Sequence, residues 1–137
     1  MTDRIFLDTN LWVYLYAENP LDKHQKVEEI IKNKSNSIQV STQVLGELFH
    51  VITRKNLTSK PDAVNIITGI VNSFSIIEID APKVLQALEI NTRYGYSYWD
   101  SLIVATALMC GCSIIYSEDM HHNQLIDGKL NIINPFK

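Results

Sequence analysis

Short apolar segments alternate with longer segments of helical period along the chain, and this alternation restricts the fold more than any other feature. The intervening segments carry apolar residues three and four positions apart, which is typical of helices. Strands that alternate with helices predict an α/β fold with a mainly parallel central sheet of four to five strands, covered by helices on both faces. The predicted strands are residues 4–8, 37–41, 74–79, 113–117 and 130–133.

The predicted helices begin at capping residues or prolines, which set their approximate bounds. The segment from Ser97 to Met109 is apolar nearly all round and is therefore expected to be the central helix. The other predicted helices run over residues 11–17, 20–34 and 42–55, and begin after Ser59 and after Asp80.

Composition indicates one ordinary globular domain spanning residues 1–137. Apolar residues make up 46% and charged residues 20% of the chain, close to the values of soluble folded domains. No apolar run approaches the ~18–20 residues that cross a bilayer, and no N-terminal segment resembles an export signal. A cytoplasmic protein without a membrane segment is therefore expected.

Charge and cysteine content narrow the function further. The net charge of −3 argues against a broad nucleic-acid-binding surface, because such surfaces are usually basic. This objection weakens if the excess acid is gathered at a metal site. Cys110 and Cys112 are too few for a disulfide framework, and we interpret them as buried reduced thiols.

Four carboxylates stand out by their positions in the predicted elements. Asp8 and Asp119 follow strands, Asp100 lies near the start of the most apolar helix, and Glu47 lies on the apolar face of its helix. In parallel sheets, ligands bind outside the carboxyl ends of the strands. The four acids are therefore candidates for one site at that end of the sheet.

Each acid also has a purely structural explanation, and the two explanations are compatible. Asp8 and Asp119 suit a helix cap or a turn, and Asp100 completes a capping pattern with Ser97. Glu47 could lie at the edge of the apolar stripe and reach water. Its position on an apolar face makes it the most informative of the four.

Acids gathered at one end of a sheet repel one another and lose hydration. A divalent cation compensates for both effects, and carboxylate oxygens suit Mg²⁺ or Mn²⁺. Such ions assist phosphoryl chemistry by polarising a phosphate and activating water. The sequence therefore predicts a Mg²⁺ or Mn²⁺ site that acts on a phosphate ester.

Four motifs in this order resemble the PIN domain of metal-dependent nucleases: FLDTN, QVLGELFHV, YWDSLIVATAL and SIIYSEDM. Together with the closing INPF, they are most similar to VapC-type toxins of bacterial toxin–antitoxin pairs. The resemblance extends from Ile5 to Phe136. It implies a three-layer α/β/α sandwich that forms a single PIN-like nuclease domain over residues 1–137.

The resemblance also implies the chemistry: an endoribonuclease that uses Mg²⁺ or Mn²⁺ to hydrolyse RNA phosphodiesters. It implies that Asp8, Glu47 and Asp100 hold the metal, and that Asp119 helps to bind it or orients the attacking water. Glu118 is an alternative to Asp119 as the fourth acid. A homodimer is implied as well, with a small antitoxin whose C-terminal segment blocks the site. The residues expected to support the site are Thr9, Asn10, Ser117 and Glu118.

Two other functions stay open at this point. A non-catalytic PIN-like module that binds RNA or acts as a scaffold would be favoured by the loss of one or more acids, and all four are present. A phosphotransfer receiver or a haloacid-dehalogenase-type hydrolase also places an Asp and Mg²⁺ at a strand end. Those proteins need a second Asp in or before that run, and Asp8 is followed by Thr9, Asn10 and Leu11.

Three further clusters are weaker candidates for function. The basic cluster can contact RNA phosphates or simply face solvent. The aromatic cluster can stack bases, but we interpret it as packing or a dimer contact. The two adjacent histidines point in different directions on a regular element, so a shared metal is not expected. The clusters are Arg54, Lys55 and Lys60; Tyr94, Tyr96, Tyr98 and Trp99; and His121 and His122.

Overall fold

The computed structural model describes residues 3–137, which contain six strands and six α-helices. A short 3-10 turn, Ser35–Ser37, joins the second helix to the second strand. In chain order the elements are β1 Arg4–Leu7, α1 Thr9–Tyr16, α2 Leu21–Lys34, β2 Ile38–Ser41, α3 Thr42–Arg54, α4 Lys60–Ser73, β3 Ser75–Ile77, α5 Ala81–Tyr94, α6 Tyr98–Met109, β4 Cys112–Tyr116, β5 Leu125–Ile126 and β6 Leu130–Ile133.

The strands form one sheet in the order β3-β2-β1-β4-β6-β5. Every neighbouring pair is parallel except β5 and β6, which are antiparallel. The predicted α/β class with a mainly parallel sheet is thus confirmed. The sheet has one strand more than the four to five predicted, because the two-residue β5 is too short to show a strand pattern.

Helices cover both faces of the sheet. All four residues of β2 are buried, and so are the last three of β1. Side chains alternate between the two faces of a strand, so consecutive burial requires cover on both sides. One group of helices packs α1 against α2 and α3, with α3 against α4, while α5 packs against α6. This is the expected three-layer arrangement.

The central helix is α6, as its sequence predicts, since seven consecutive residues from Ser101 to Ala107 are buried. Within residues 3–137, no helix is both long enough and apolar enough to cross a membrane.

Some element bounds differ from the prediction by a few residues. Helix α1 begins at Thr9, two residues before the predicted start, because the Asp8 side chain accepts a hydrogen bond from the Thr9 amide and caps it. Strand β3 is shorter than predicted. Phe74 closes α4 by donating its amide to the Ile70 carbonyl, so it does not join the strand.

The sheet topology sets the place for a site. From β1 the chain crosses to β2 on one side, whereas β4 pairs with β1 on the other side. Such a switch in strand order opens a crevice at the carboxyl ends of the strands. Leu7 pairs with Tyr116, so the residues that follow β1 and β4 lie side by side at that crevice.

Candidate active site

A cavity of about 310 Å³ lies at the carboxyl ends of β1 and β4, between the start of α1, the middle of α3 and the start of α6. All four acids singled out from the sequence line it, together with two of the four expected supporting residues. Its lining is Asp8, Thr9, Asn10, Glu47, His50, Val51, Asp100, Ile103 and Asp119.

Asp8 is the most buried of the acids, with 6% of its surface exposed. One carboxylate oxygen accepts a hydrogen bond from the Thr9 amide at 2.7 Å, and the other accepts from the Ser117 hydroxyl at 2.8 Å. Burial raises the pKa of Asp8 to about 6, and the nearby charges of Asp100 and Asp119 act in the same direction, against these two hydrogen bonds. Asp8 therefore caps α1 and lines the cavity at once.

Ser117 connects Asp8 to the loop that carries Asp119. Its hydroxyl is fully buried, donates to Asp8, and accepts from the amides of Asp119 and Met120 at 3.3 and 3.4 Å. This one side chain thereby satisfies three polar groups that would otherwise lack partners. It lies behind the cavity and does not line it.

Glu47 lies at the cavity, as its position on the apolar face of α3 suggested. It borders the buried stripe of Val44, Leu48 and Ile52, but its carboxylate is directed into the cavity. Its Oε1 accepts a hydrogen bond from the Thr9 hydroxyl at 2.6 Å, and its Oε2 accepts from the Gln43 amide at 3.3 Å. Both bonds fix the carboxylate without neutralising it.

Asp100 and Asp119 complete the acidic wall. Asp100 lies in the first turn of α6, where its amide donates to the Ser97 hydroxyl at 3.1 Å. Burial raises the pKa of Asp100, and the charges of Asp119 and Glu47 raise it further, against the hydrogen bond with Ser97. Asp119 is more exposed, and its carboxylate accepts a hydrogen bond from the Asn10 side chain.

The four acids have no cationic partner in the described part of the chain. The ion pairs of residues 3–137 involve none of the four. Arg93, the one basic residue near Asp100 in sequence, pairs with Asp127 at 2.9 Å. The hydrogen-bond donors to the acids are neutral hydroxyls and amides, so the cavity keeps its negative charge.

The donor set fits a hard divalent cation held through few direct contacts. Between residues 3 and 137, no three Asp, Glu, His or Cys side chains converge closely enough to ligate one ion together. Mg²⁺ retains several waters and commonly binds through one or two carboxylates, so it needs no closed protein cage. Carboxylate oxygens are the donors that such an ion prefers.

Glu118 does not line the cavity, although it is next to Asp119 in sequence. Its carboxylate is directed away, where it accepts a hydrogen bond from the Tyr14 hydroxyl at 2.6 Å and pairs with Lys23. Of the two acids proposed for the fourth position, the structure places only Asp119 with the others.

His50 lines the cavity and was missed in the sequence analysis. It is exposed and lies three residues after Glu47 on α3, so the two side chains share a helix face. That spacing is the sequence signal by which it could have been found. Val51 and Ile103 supply the apolar part of the lining.

The weaker candidate clusters lie outside the cavity lining. The Tyr94 and Tyr96 hydroxyls contact Asp127 and Gln124, so these side chains hold the residues on either side of β5. His122 accepts a hydrogen bond from the Asn134 amide at 2.9 Å. The three basic residues are exposed, and Trp99 is 61% exposed beside Asp100.

The family model for the PIN domain matches residues 5–126, which is most of the chain. The chain belongs to the PIN domain family. The resemblance seen in the four motifs is thereby confirmed. The boundaries of a single domain over residues 1–137 stay a prediction.

Several solved structures of similar fold are toxins or toxin–antitoxin complexes. VapC20 of Mycobacterium tuberculosis, a sarcin-ricin loop cleaving toxin, is 24% identical, with 84% of this chain and 89% of that chain covered and a TM-score of 0.70. A toxin–antitoxin complex from Klebsiella pneumoniae is 14% identical over 96% and 97%, with a TM-score of 0.72. DNA-bound VapBC from Salmonella typhimurium is 17% identical over 96% and 97%, with a TM-score of 0.69. A comparison with curated proteins gives no significant match.

The raised pKa of Asp8 predicts that its charge destabilises the metal-free fold. Between about pH 4 and pH 6 the folded state binds more protons than the unfolded state, so this contribution lowers stability as the pH rises through that window. Each pKa unit is worth about 1.36 kcal/mol, so Asp8→Asn should raise the free energy of unfolding by roughly 2–3 kcal/mol at about pH 7.5.

The measurement is urea unfolding of both proteins in excess chelator across that pH range. The advantage of Asp8→Asn should shrink to a small fraction near pH 4, where Asp8 is protonated in the folded state and about half protonated in the unfolded state. Asp3→Asn, at an exposed position outside the cavity, serves as the matched control and should show no comparable gain. An Asp8→Asn protein with no pH-dependent advantage would contradict the assignment of the burial cost to this carboxylate.

Proposed function

We propose that this chain is an endoribonuclease that uses Mg²⁺ or Mn²⁺ to hydrolyse RNA phosphodiesters, and that it acts as the toxin of a toxin–antitoxin pair. The observation that carries the proposal is the cavity lined by four carboxylates without a cationic partner in residues 3–137. Membership of the PIN domain family and the fold shared with VapC20 support it.

Asp8, Glu47 and Asp100 are proposed to hold the metal, one or two of them directly and the others through its bound waters. When bound, the metal would polarise the scissile phosphate and make the attacking water more acidic. The chain contributes the positions of these carboxylates. The Thr9 amide and Ser117 hydroxyl orient Asp8, while the Thr9 hydroxyl orients Glu47. Two metal-holding acids are thus fixed by one residue, which keeps their relative geometry before substrate arrives.

Asp119 is proposed to orient the attacking water or to assist in holding the metal. Its exposure suits contact with solvent and substrate, and the Asn10 side chain holds its carboxylate toward the cavity. His50 lies at the open side of the cavity and is proposed to donate an N–H to a phosphate oxygen of the bound RNA.

The central test is cleavage of total bacterial RNA by the purified protein. Wild type should cut only with Mg²⁺ or Mn²⁺. Loss of an outer-shell partner lowers the affinity or activity of a metal site by ~10–100-fold, and Asp8→Asn or Asp100→Asn should lower the cleavage rate by at least that factor. Asp62→Asn, an exposed acid on α4, should retain full activity. The Asp8→Asn protein, purified in parallel, also controls for contaminating nucleases.

Metal binding gives a readout that is independent of cleavage. Mn²⁺ should raise the melting temperature of wild type and not of Asp8→Asn, because a ligand stabilises only the state that binds it. Wild-type activity in excess chelator, or full activity of either Asn variant, would overturn the proposal. RNA binding without cleavage by wild type would instead favour the non-catalytic module.

The neighbours Glu118 and Asp119 offer a matched comparison within one loop. Asp119→Asn should lower the cleavage rate by about 10-fold or more, because its carboxylate lines the cavity. Glu118→Gln should retain most activity and change the stability little, because a partly exposed ion pair such as that with Lys23 contributes little to folding. The cleavage rates of the two variants are compared in the same RNA assay. A larger loss of rate for Glu118→Gln than for Asp119→Asn would assign the role of the fourth acid to Glu118.

The toxin role predicts an effect in cells. Expression of wild type alone should arrest bacterial growth, and Asp8→Asn should not, since it lacks the proposed nuclease activity. Co-expression of the short protein encoded beside this gene should relieve the arrest, as expected of an antitoxin whose C-terminal segment blocks the cavity. Growth unaffected by wild type, at matched protein levels, would contradict the toxin role while leaving the ribonuclease proposal intact.

The remaining expectations belong to the same proposal. We place the protein in the cytoplasm, where RNA and an antitoxin would meet it, and expect a homodimer. Sedimentation of the purified chain measures the second expectation directly.

A further inference from the structure

A pair of cysteines occupies the turn between α6 and β4, away from the acidic cavity. Cys110 follows the last residue of α6, Cys112 opens β4, and their sulfur atoms lie 3.5 Å apart. Both thiols are free. Cys112 is buried as the sequence analysis expected, but Cys110 is only half-buried. One thiol of the pair is therefore accessible to a reagent in solution.

Gly111 permits the two side chains to converge. Its φ of +79° lies in the left-handed region, which glycine adopts without the steric cost that any other residue meets. The chain thereby reverses between the end of the helix and the start of the strand. A disulfide needs the sulfurs at about 2.05 Å, so closure requires a shift of only about 1.5 Å.

The surroundings make the two thiols unequal. Arg4 donates from its guanidinium to the Cys110 carbonyl at 2.7 Å and lies over the turn. The contact with Cys112 lowers the pKa of Cys110, with a smaller contribution from Arg4, although burial acts in the opposite direction. The pKa of Cys112 is raised by its contact with Cys110 and by burial. Cys110 is thus the nucleophile of the pair, because it is the more exposed thiol and lies beside the Arg4 guanidinium, which favours the reactive thiolate.

We propose that Cys110 and Cys112 form a thiol–disulfide exchange site that reacts with low-molecular-weight disulfides such as oxidised glutathione. The Cys110 thiolate attacks one sulfur of the disulfide, forming a mixed disulfide and releasing one thiolate. The Cys112 thiol then passes its proton through solvent to the released thiolate and attacks the Cys110 sulfur, which releases the second thiolate. In sum, two protein thiols are oxidised to one intrachain disulfide, and the small disulfide is reduced to two thiols.

The site is separate from the acidic cavity. Cys112 is the first residue of β4, whereas Ser117 follows its last residue, so the two features lie at opposite ends of that strand. At ~3.3 Å per residue, the five residues of β4 separate them by roughly 15 Å. The exchange reaction therefore needs neither metal nor RNA, and its test is independent of the proposed nuclease function.

The experiment incubates the reduced full-length protein, in chelator, with glutathione buffers of increasing oxidised fraction. Mass spectrometry after acid quenching should show wild type losing two hydrogens through an intrachain disulfide. Cys112→Ser should instead accumulate a glutathione adduct on Cys110, since the resolving thiol is gone. Cys110→Ser should react at least ~10-fold more slowly, because the remaining thiol is buried.

Several outcomes would overturn the proposal. They are a wild type that stays reduced at every glutathione ratio, a wild type that forms only interchain disulfides, and equal reaction rates for the two serine variants. If Cys112→Ser fails to fold by circular dichroism, Cys112→Ala serves in its place, since alanine leaves no buried hydroxyl unpaired. Alkylation of wild type across a pH series is a further check, and Cys110 should react at lower pH than Cys112.

Discussion

The parallel pairing of β1 with β4 is the contact on which the rest of the site depends. It brings Asp8 next to Ser117, which lies 109 positions later in sequence, and Ser117 in turn holds the loop of Asp119. The same strands supply fully buried core residues such as Phe6 and Ile115. A slip of one residue would exchange the two faces of a strand. The packing that stabilises the sheet therefore also fixes the acids.

The acids oppose the stability of the fold that holds them. A buried carboxylate loses hydration, and neighbouring carboxylates repel it, as the raised pKa values of Asp8 and Asp100 show. An arginine beside these carboxylates would remove this cost in folding stability, but it would also neutralise the site. Neutral donors from Thr9, Asn10 and Ser117 satisfy the carboxylate oxygens and leave the charge in place. Because these partners are neutral, the cavity keeps a negative charge that a bound cation can offset.

The sequence was sufficient for most of the fold and for the acids, because both depend on local pattern and on strand ends. It was insufficient where the outcome depends on distant partners. Glu118 and Asp119 are indistinguishable in sequence, and the structure separates them through Tyr14, which lies 104 positions from Glu118. Strand β5 has no periodicity of its own, yet Asp127 and Gly128, with φ of +51° and +67°, are the pair that favours a tight hairpin. That local signal was present and was overlooked.

The acids of the site and the phosphates of an RNA substrate are both negative, and the helix ends, as well as a bound cation, offset the repulsion between them. Asp8 caps α1 and Asp100 lies in the first turn of α6, so the amino ends of both helices face the same cavity. Helix amino ends carry partial positive charge and favour anions nearby. They stabilise the carboxylates in the absence of substrate. Once a divalent ion offsets the carboxylates, the same helix ends favour the phosphate that docks against them.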